Sequence, residues 1–355
     1  MKILISVHNL TNGGAERVAV EWARGFAEVA HEVAMVLCCP EDTPVSYFPP
    51  TEVKIFNTYP KRLIPHLNSI SVFFNLRKVL KEYKPDLFIS VAGHIVSLLA
   101  PIGLGIDCIN TEHNAFERPD SAPMSNMLKF NKFFLNRFFK KVTMLTTKDT
   151  EIAKSHGVNG FYLPNPLAFE PIKQVPTKKR VLLAAGRLDV GHTKGFDILI
   201  KAFGMSSHSG WTLQIAGAGA PKDIEKYTLL AEECGVKDEV VFLGYIVNPI
   251  QIYRDAEIFV LSSRYEGFGL VLIEAMSQGC ACIACDYGGR QKEIVGSEDN
   301  ALCCETENVE ALAVAMNKLM SDDNLRHKLQ VNAIERSKAF TNEKIMERWM
   351  QIIKA

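Results

Sequence analysis

Apolar positions in this chain fall into short unbroken runs, separated by stretches in which apolar residues recur every three or four positions. Unbroken runs mark strands buried on both faces, and the recurrent stretches mark helices lying against a sheet. KILISVH reads as a strand, AERVAVEWARGFAEV as a helix and HEVAMVLCC as the next strand. The helix SISVFFNLRKVLKEYK then feeds the strand DLFISVAG, with CINTEHN and KVTMLTT as further strands. Residues 163–176 interrupt this rhythm with Pro164, Pro166, Pro171 and Pro176, which marks a domain boundary. Beyond it the alternation restarts, with strands RVLLAAGR, WTLQIAGAG, EVVFLGY, IFVLSSR and CACIACD. Helices GFDILIKAFGM, APKDIEKYTLLAEECG, NPIQIYRDA and GLVLIEAMSQG lie between them, and helices over 308–338 and 341–354 close the chain. The pattern predicts an α/β protein of two doubly wound parallel sheets, residues 1–165 and 166–340. The carboxyl ends of both sheets are expected to face one central cleft.

Composition narrows the function. The chain balances 40 basic against 40 acidic side chains, so it lacks the basic field that non-specific nucleic-acid binding requires. The longest apolar stretch, Ile95 to Ile106, is broken by Pro101, Gly103 and Gly105 and falls short of the ~20 residues that span a bilayer. The opening MKILISVHN is too short for a signal-peptide core, which predicts a cytoplasmic protein. Nine cysteines lie mostly inside apolar runs and read as reduced core residues. Cys282 and Cys285 form a CxxC, but it sits in a buried-strand pattern with no second Cys/His pair at zinc spacing.

Three segments carry candidate chemistry. In NLTNGGAER, residues 9–17, Gly13 and Gly14 bare the backbone where a helix begins, so its N–H groups could hold a phosphate, or the glycines could simply tighten the turn. The dinucleotide pattern GxGxxG is absent. In GRLDVGHTKGFD, residues 186–197, Gly186, Arg187 and Lys194 stand at the carboxyl end of a strand and the mouth of a helix, suited to anion capture or to plain solvation. In RYEGFGLVLIEAMSQG, residues 264–279, Glu266 follows a strand and Glu274 lies about one turn into an apolar helix. Burying Glu274 among Leu272, Ile273, Ala275 and Met276 calls for a partner, either a ligand hydroxyl or its own helix. Gly267 and Gly269 leave N–H groups exposed at that helix start.

GGAER, GRL with KGFD, IAGAG, VVFLGY and EGFGLVLIEAMSQG, in this order, resemble the retaining GT-B glycosyltransferases of family four, above all bacterial members that build lipopolysaccharide, O-antigen or lipid-linked glycans. The spacer DVGHT is two residues longer than in many members. The resemblance implies two Rossmann-like domains, with residues 341–355 packing back on the first, and transfer of a sugar, by default from a UDP-sugar, to a hydroxyl of a glycan or lipid-linked acceptor with retention of configuration. It implies that Arg187 and Lys194 neutralise the donor diphosphate, with Gly14 and Gly13 approaching it from the first domain. Glu274 would hold the ribose, and Glu266 with the N–H groups of Phe268, Gly269 and Leu270 the sugar. Backbone at Tyr245 and Ile246 would pair with the base, and His113 would face the donor sugar. The nucleotide sugar is then a substrate, and no cofactor is implied. No Asp-x-Asp occurs in the chain, which suits diphosphate stabilisation by fixed cations and predicts a metal-free site. Alternatives on the same fold are a nucleotide-sugar epimerase or a catalytically silent nucleotide-sugar-binding partner.

Residues 129–141, KFNKFFLNRFFKK, interleave Lys129, Lys132, Arg137, Lys140 and Lys141 with five phenylalanines and hold no acidic residue. As one helix, Phe130, Phe134 and Phe138 form a stripe expected against the core, with the cations solvated. A second reading docks the leftover aromatics and the five cations on an anionic membrane, which would put the protein at the inner face of that membrane.

Overall fold

The computed structural model describes residues 1–11, 13–60, 68–119 and 122–355. The chain divides into two compact units, one of residues 1–168 with 342–355 and the other of residues 169–341. The first holds a parallel sheet of seven strands: β1 Lys2–Val7, β2 Glu32–Leu37, β3 Lys54–Asn57, β4 Leu87–Val91, β5 Asp107–Thr111, β6 Lys141–Met144 and β7 Gly160–Tyr162. The second holds six: β8 Lys179–Ala185, β9 Thr212–Ala216, β10 Val240–Gly244, β11 Ala256–Leu261, β12 Ala281–Cys285 and β13 Leu302–Cys304. Every described strand pair is parallel.

Strand order sets where ligands can enter. The first sheet runs β3-β2-β1-β4-β5-β6-β7 and the second β10-β9-β8-β11-β12-β13. In each, the chain winds outward in one direction and then restarts on the other side, so the order reverses between β1 and β4 and between β8 and β11. Loops leaving the carboxyl ends of those neighbouring strands diverge to opposite faces and open a crevice.

The central strands are the apolar runs of the sequence; β12, ACIAC, is buried at every position. Leu182, Leu213, Ile258 and Ile283 of the second sheet pack under Leu199 and Phe203 of the helix Phe196–Met205 and Met316 of the helix Val309–Ser321. In the first unit Trp22, on the helix Gly14–Glu28, packs edge-on at 5.1 Å against Trp349 of the last helix, Asn342–Lys354.

Several expectations change. The short edge strands β3, β7 and β13 were not signalled by the apolar pattern. The helix expected over 308–338 is two, because Asp322 takes an extended conformation and its side chain caps the next helix by accepting from Leu325 N at 2.9 Å. Residues 129–141 are not one helix either. The α-helix Asn126–Phe133 gives way to a tighter turn over Leu135–Phe138, and its buried side is Lys132, Leu135, Asn136 and Phe139. Phe130, Phe134 and Phe138 therefore face outward, the reverse of the expected orientation. The cause is Lys132, which is fully buried yet satisfied: its Nζ lies 3.1 Å from Glu112 Oε2 and donates to Asn114 O and Ala115 O at 3.1 and 2.6 Å. Glu112 Oε1 also accepts from Asn136 Nδ2 at 2.8 Å, so the pair belongs to a polar network formed with the segment in this rotation.

Candidate functional site

In the second unit the reversal point gathers the loops after β8 and β11. Gly186 follows β8, and a Cβ there would lie 3.1 Å from the Lys194 side chain, whose stem crosses over the bare backbone. The end of the long spacer and Lys194 form one helical turn, Gly191–Lys194. Gly195 then takes φ +68° and lets the chain start the helix Phe196–Met205; any side chain at this position would strike Ser262 O at 2.0 Å. The two loops touch because that contact is so close.

Lys194 Nζ lies 2.7 Å from Glu266 Oε1, which also accepts from Ser263 Oγ at 2.7 Å. Ser262 Oγ donates to Lys194 O at 2.9 Å, and Arg264 N donates to Thr193 O at 2.9 Å. A lysine ammonium has three donors, so the pairing with Glu266 leaves capacity for an incoming anion while fixing where the cation sits.

Arg264, which the sequence reading did not single out, holds this arrangement. Its guanidinium is buried and donates to both Asp197 oxygens at 2.7 and 2.8 Å, to both Glu307 oxygens at 2.5 and 3.2 Å, and to His192 O at 2.6 Å. Burial alone would raise the Asp197 carboxyl, but the hydrogen bonds and charge of Arg264 outweigh it and hold it below its ordinary value. The available signal was the opposite charge of the D in KGFD and the R in RYEGFG.

The other expected residues of this unit fall at the same edge or beneath it. Arg187 is exposed and pairs with Asp189, inside the long spacer, at 3.4 Å. Gly269 caps the helix Leu270–Ser277 with φ +108°, and Phe268 is buried, its carbonyl accepting from Tyr287 Oη at 2.7 Å, so only its backbone can serve a ligand. Gly267 lies between Glu266 and this cap. Tyr245 and Ile246 follow β10, whose Gly244 O accepts from Gly217 N at 2.8 Å beside the end of β9. Glu274 is 2% exposed and accepts from Tyr253 Oη at 2.9 Å. Its burial is thus matched by a protein hydroxyl and does not require a ligand to explain it.

Three expected residues lie in the first unit. Gly13 is the cap of the helix Gly14–Glu28, with Glu16 packed so close that a Cβ on Gly13 would overlap its carboxylate; Gly14 opens the helix and is exposed. His113 follows β5. Its ring lies 5.4 Å from that of Trp22, its Nε2 is 3.0 Å from Thr111 Oγ1, and its Nδ1 is buried without a hydrogen-bond partner among the described residues. Burial, helped by the Lys132 charge, pushes its pKa down to about 4, so the imidazole is neutral at physiological pH. The reversal point of this sheet opens a crevice of about 370 Å³ lined by His8, Cys38, Tyr59 and His94 among others.

Comparison with known proteins gives this geometry a context. The model of the family described as Glycosyltransferase Family 4 matches residues 12–195, and that described as Glycosyl transferases group 1 matches residues 168–336. The GalNAc-alpha-(1->4)-GalNAc-alpha-(1->3)-diNAcBac-PP-undecaprenol alpha-1,4-N-acetyl-D-galactosaminyltransferase of Campylobacter jejuni is 28% identical, over 99% of this chain and 98% of its own. Sucrose-phosphate synthase from Thermosynechococcus elongatus superposes with a TM-score of 0.80 at 20% identity, covering 99% of this chain and 98% of its own. HepE of Anabaena, solved in complex with UDP and glucose, superposes with a TM-score of 0.79 at 19% identity over the whole of both chains. At these identities the two structures establish a shared fold.

Proposed function

The chain belongs to glycosyltransferase family 4, with two Rossmann-like units of the GT-B type, and from that membership we propose which transfer this glycosyltransferase performs. It moves a sugar from a nucleoside-diphosphate sugar, UDP-linked, to a hydroxyl of a glycan or lipid-linked acceptor, with retention of configuration and without a metal ion. The supporting observation is the cluster of Lys194, Glu266 and Ser263 at the strand-order reversal of the second sheet. The UDP carried by HepE and the undecaprenol-diphosphate acceptor named for the Campylobacter relative support the two ends of the reaction.

In this reading the hard step is departure of the diphosphate as an anion. Lys194 and Arg187 supply fixed positive charge to it, aided by the N–H groups of the helix that begins at Gly14. Glu266 and the backbone from Gly267 to Leu270 orient the sugar, Glu274 meets the ribose, and the loop at Tyr245 and Ile246 meets the base. The bond from the anomeric carbon to the phosphate oxygen breaks while the acceptor oxygen bonds the same carbon from the same face. The acceptor proton passes to the departing phosphate oxygen, so no protein base is required. His113, neutral, offers a hydrogen bond to the sugar rather than a charge. The acceptor occupies the crevice of the first sheet, and a lipid-linked acceptor places the protein at the inner face of a membrane.

Calorimetry with UDP tests the donor site. Each charge-assisted contact is worth about 1.5–3 kcal/mol, so Lys194→Ala and Arg187→Ala should each weaken UDP roughly ten- to a hundredfold. Turnover of the matching UDP-sugar should persist in excess chelator. Unchanged UDP affinity in both variants refutes the site; loss of turnover that magnesium restores refutes the metal-free route; an epimerised donor formed without acceptor points to the epimerase instead.

A further inference from the structure

Residues 126–138 leave an unusual surface on the first unit. Phe130, Phe134 and Phe138 are 49%, 46% and 59% exposed, although aromatic side chains of this size bury themselves wherever the backbone allows. They are ordered against one another: the Phe130 and Phe134 rings stack at 5.1 Å, and Phe134 meets Phe138 edge-on at 5.3 Å. The stripe continues. Phe138 also lines a groove of about 580 Å³ with Leu99 and Ile102, which are themselves 41% and 59% exposed. The result is one apolar band drawn from two separate segments of the chain, larger than the scattered apolar side chains that any soluble surface carries.

The charge around the band selects its occupant. Of the five cations in residues 129–141, Lys132 is spent on Glu112, and Lys141 donates to Ile352 O and Ile353 O at 2.8 and 3.0 Å. Lys129, Arg137 and Lys140 remain exposed beside the phenylalanines, Lys140 in a loose surface pair with Asp107 at 3.3 Å. An apolar band rimmed by cations suits an anionic bilayer, where the rings enter the boundary between headgroups and acyl chains and the cations meet the phosphates. No helix among the described residues is long and apolar enough to cross a membrane, so attachment of this kind would be reversible.

We propose that Phe130, Phe134 and Phe138, with Leu99 and Ile102, insert into the surface of an anionic phospholipid bilayer, and that Lys129, Arg137 and Lys140 add a smaller electrostatic share. This deepens the lipid-linked part of the function proposed above and rests on it for its purpose, but the test needs neither donor nor acceptor, so its failure leaves the transfer reading standing.

The test is co-sedimentation with vesicles of phosphatidylcholine and phosphatidylglycerol. The protein should bind them more tightly than pure phosphatidylcholine vesicles. In 1 M salt, where the screening length is about 3 Å, binding should weaken but persist. The combined change Phe130→Ser, Phe134→Ser and Phe138→Ser should lower partitioning by about tenfold or more while the melting curve stays intact, because all three rings are already exposed. Insertion can also be read directly. Trp22, Trp211 and Trp349 are buried, so their emission reports little of the lipid, whereas emission added by Phe134→Trp should shift to the blue on vesicles and be quenched by brominated acyl chains. Absence of sedimentation at low salt overturns the proposal. So does binding that the serine changes leave untouched, or an unquenched Phe134→Trp signal. Self-association in the absence of vesicles that the serine changes abolish would assign the band to a second copy of the chain and overturn it equally.

Discussion

Replacing Arg264 by leucine removes the group that joins the turn at His192, the helix starting at Phe196 and the loop around Glu307 to the strand-to-helix turn bearing Glu266. The cost follows from what is left behind. Glu307 is largely exposed and can turn into water, so its share is that of a surface ion pair, well under 1 kcal/mol. Asp197 loses a bidentate partner while its side chain remains only 29% exposed, and His192 O loses a donor. Stripping one partner from a fully buried pair costs about 3–5 kcal/mol; partial access of water to Asp197 brings the sum down to about 2–3 kcal/mol. For a unit of this size each kcal/mol is worth about 2–4 °C, so Arg264→Leu should lower the melting transition of the second unit by about 5–10 °C. The sign of the pH dependence is also fixed. Asp197 has a lowered carboxyl pKa, so its contribution is complete above the ordinary carboxylate value and is lost as pH falls through the lowered one.

Stability alone would make Arg264 a structural residue; a positioning role requires a second signal. Arg264 N still reaches Thr193 O in any variant, but without the guanidinium the described links between the Lys194 turn and the Glu266 loop are the Lys194–Glu266 ion pair and backbone and serine contacts, with no buried fork to hold them in register. UDP affinity measured far below the melting range should fall several-fold in Arg264→Leu and recover partly in Arg264→Lys, which keeps charge but not the planar fork. Asp197→Asn should reproduce both effects. A variant that melts with the wild type and binds UDP equally well would refute the reasoning outright.

Two further outcomes follow from the first unit. Because the His113 pKa falls to about 4 from 6.5, the unfolded chain takes up a proton that the folded one refuses between those values; stability should decline by up to about 3 kcal/mol as pH drops from 6.5 to 4, and His113→Asn should abolish that component in urea melts across this range. Lys132→Met should cost roughly 3–5 kcal/mol in the same assay by stranding Glu112, and adding Glu112→Gln should restore much of it; a single change that is neutral would contradict the ion pair.

What the sequence revealed and what it hid have the same physical origin. Central parallel strands such as KILISV and ACIAC are buried on both faces and must be apolar throughout, so they announce themselves. Edge strands have one neighbour and one open side, and β3, KIFN, with three or four residues to spend, carries no pattern distinct from a loop. Lys194 and Glu266 were legible because glycines and charge coincide with the carboxyl ends of strands. Arg264 was not, since a loop arginine reads as a solvated cation and its partners Asp197 and Glu307 lie 67 and 43 positions away in the chain. The phenylalanine stripe failed differently. Periodicity correctly identified Phe130, Phe134 and Phe138 as one face but assigned it inward, because no periodicity rule expects a lysine to take the buried place. The carboxylate of Glu112 and the carbonyls of Asn114 and Ala115, all distant in sequence, make that choice possible.

The two reversal points differ in chemistry in a way that bears on division of labour. At the second sheet the reversal point is bordered by ionic groups tied to one another, Lys194 to Glu266 and Arg264 to Asp197, so that charge is held in place before any ligand arrives. A leaving diphosphate needs that kind of site, because its charge develops during reaction and fixed charges need no reorganisation to meet it. At the first sheet the described lining of the crevice presents His8, Cys38, Tyr59 and His94, imidazole, thiol and phenol groups interspersed with apolar ones. Such a lining recognises hydroxyls and ring faces by hydrogen bonds and shape, and a change of one or two side chains there would alter which acceptor fits without disturbing departure of the diphosphate. The proposed reaction therefore places departure of the diphosphate where the side chains are ionically locked, and recognition of the acceptor where the described side chains offer hydrogen bonds and ring faces instead.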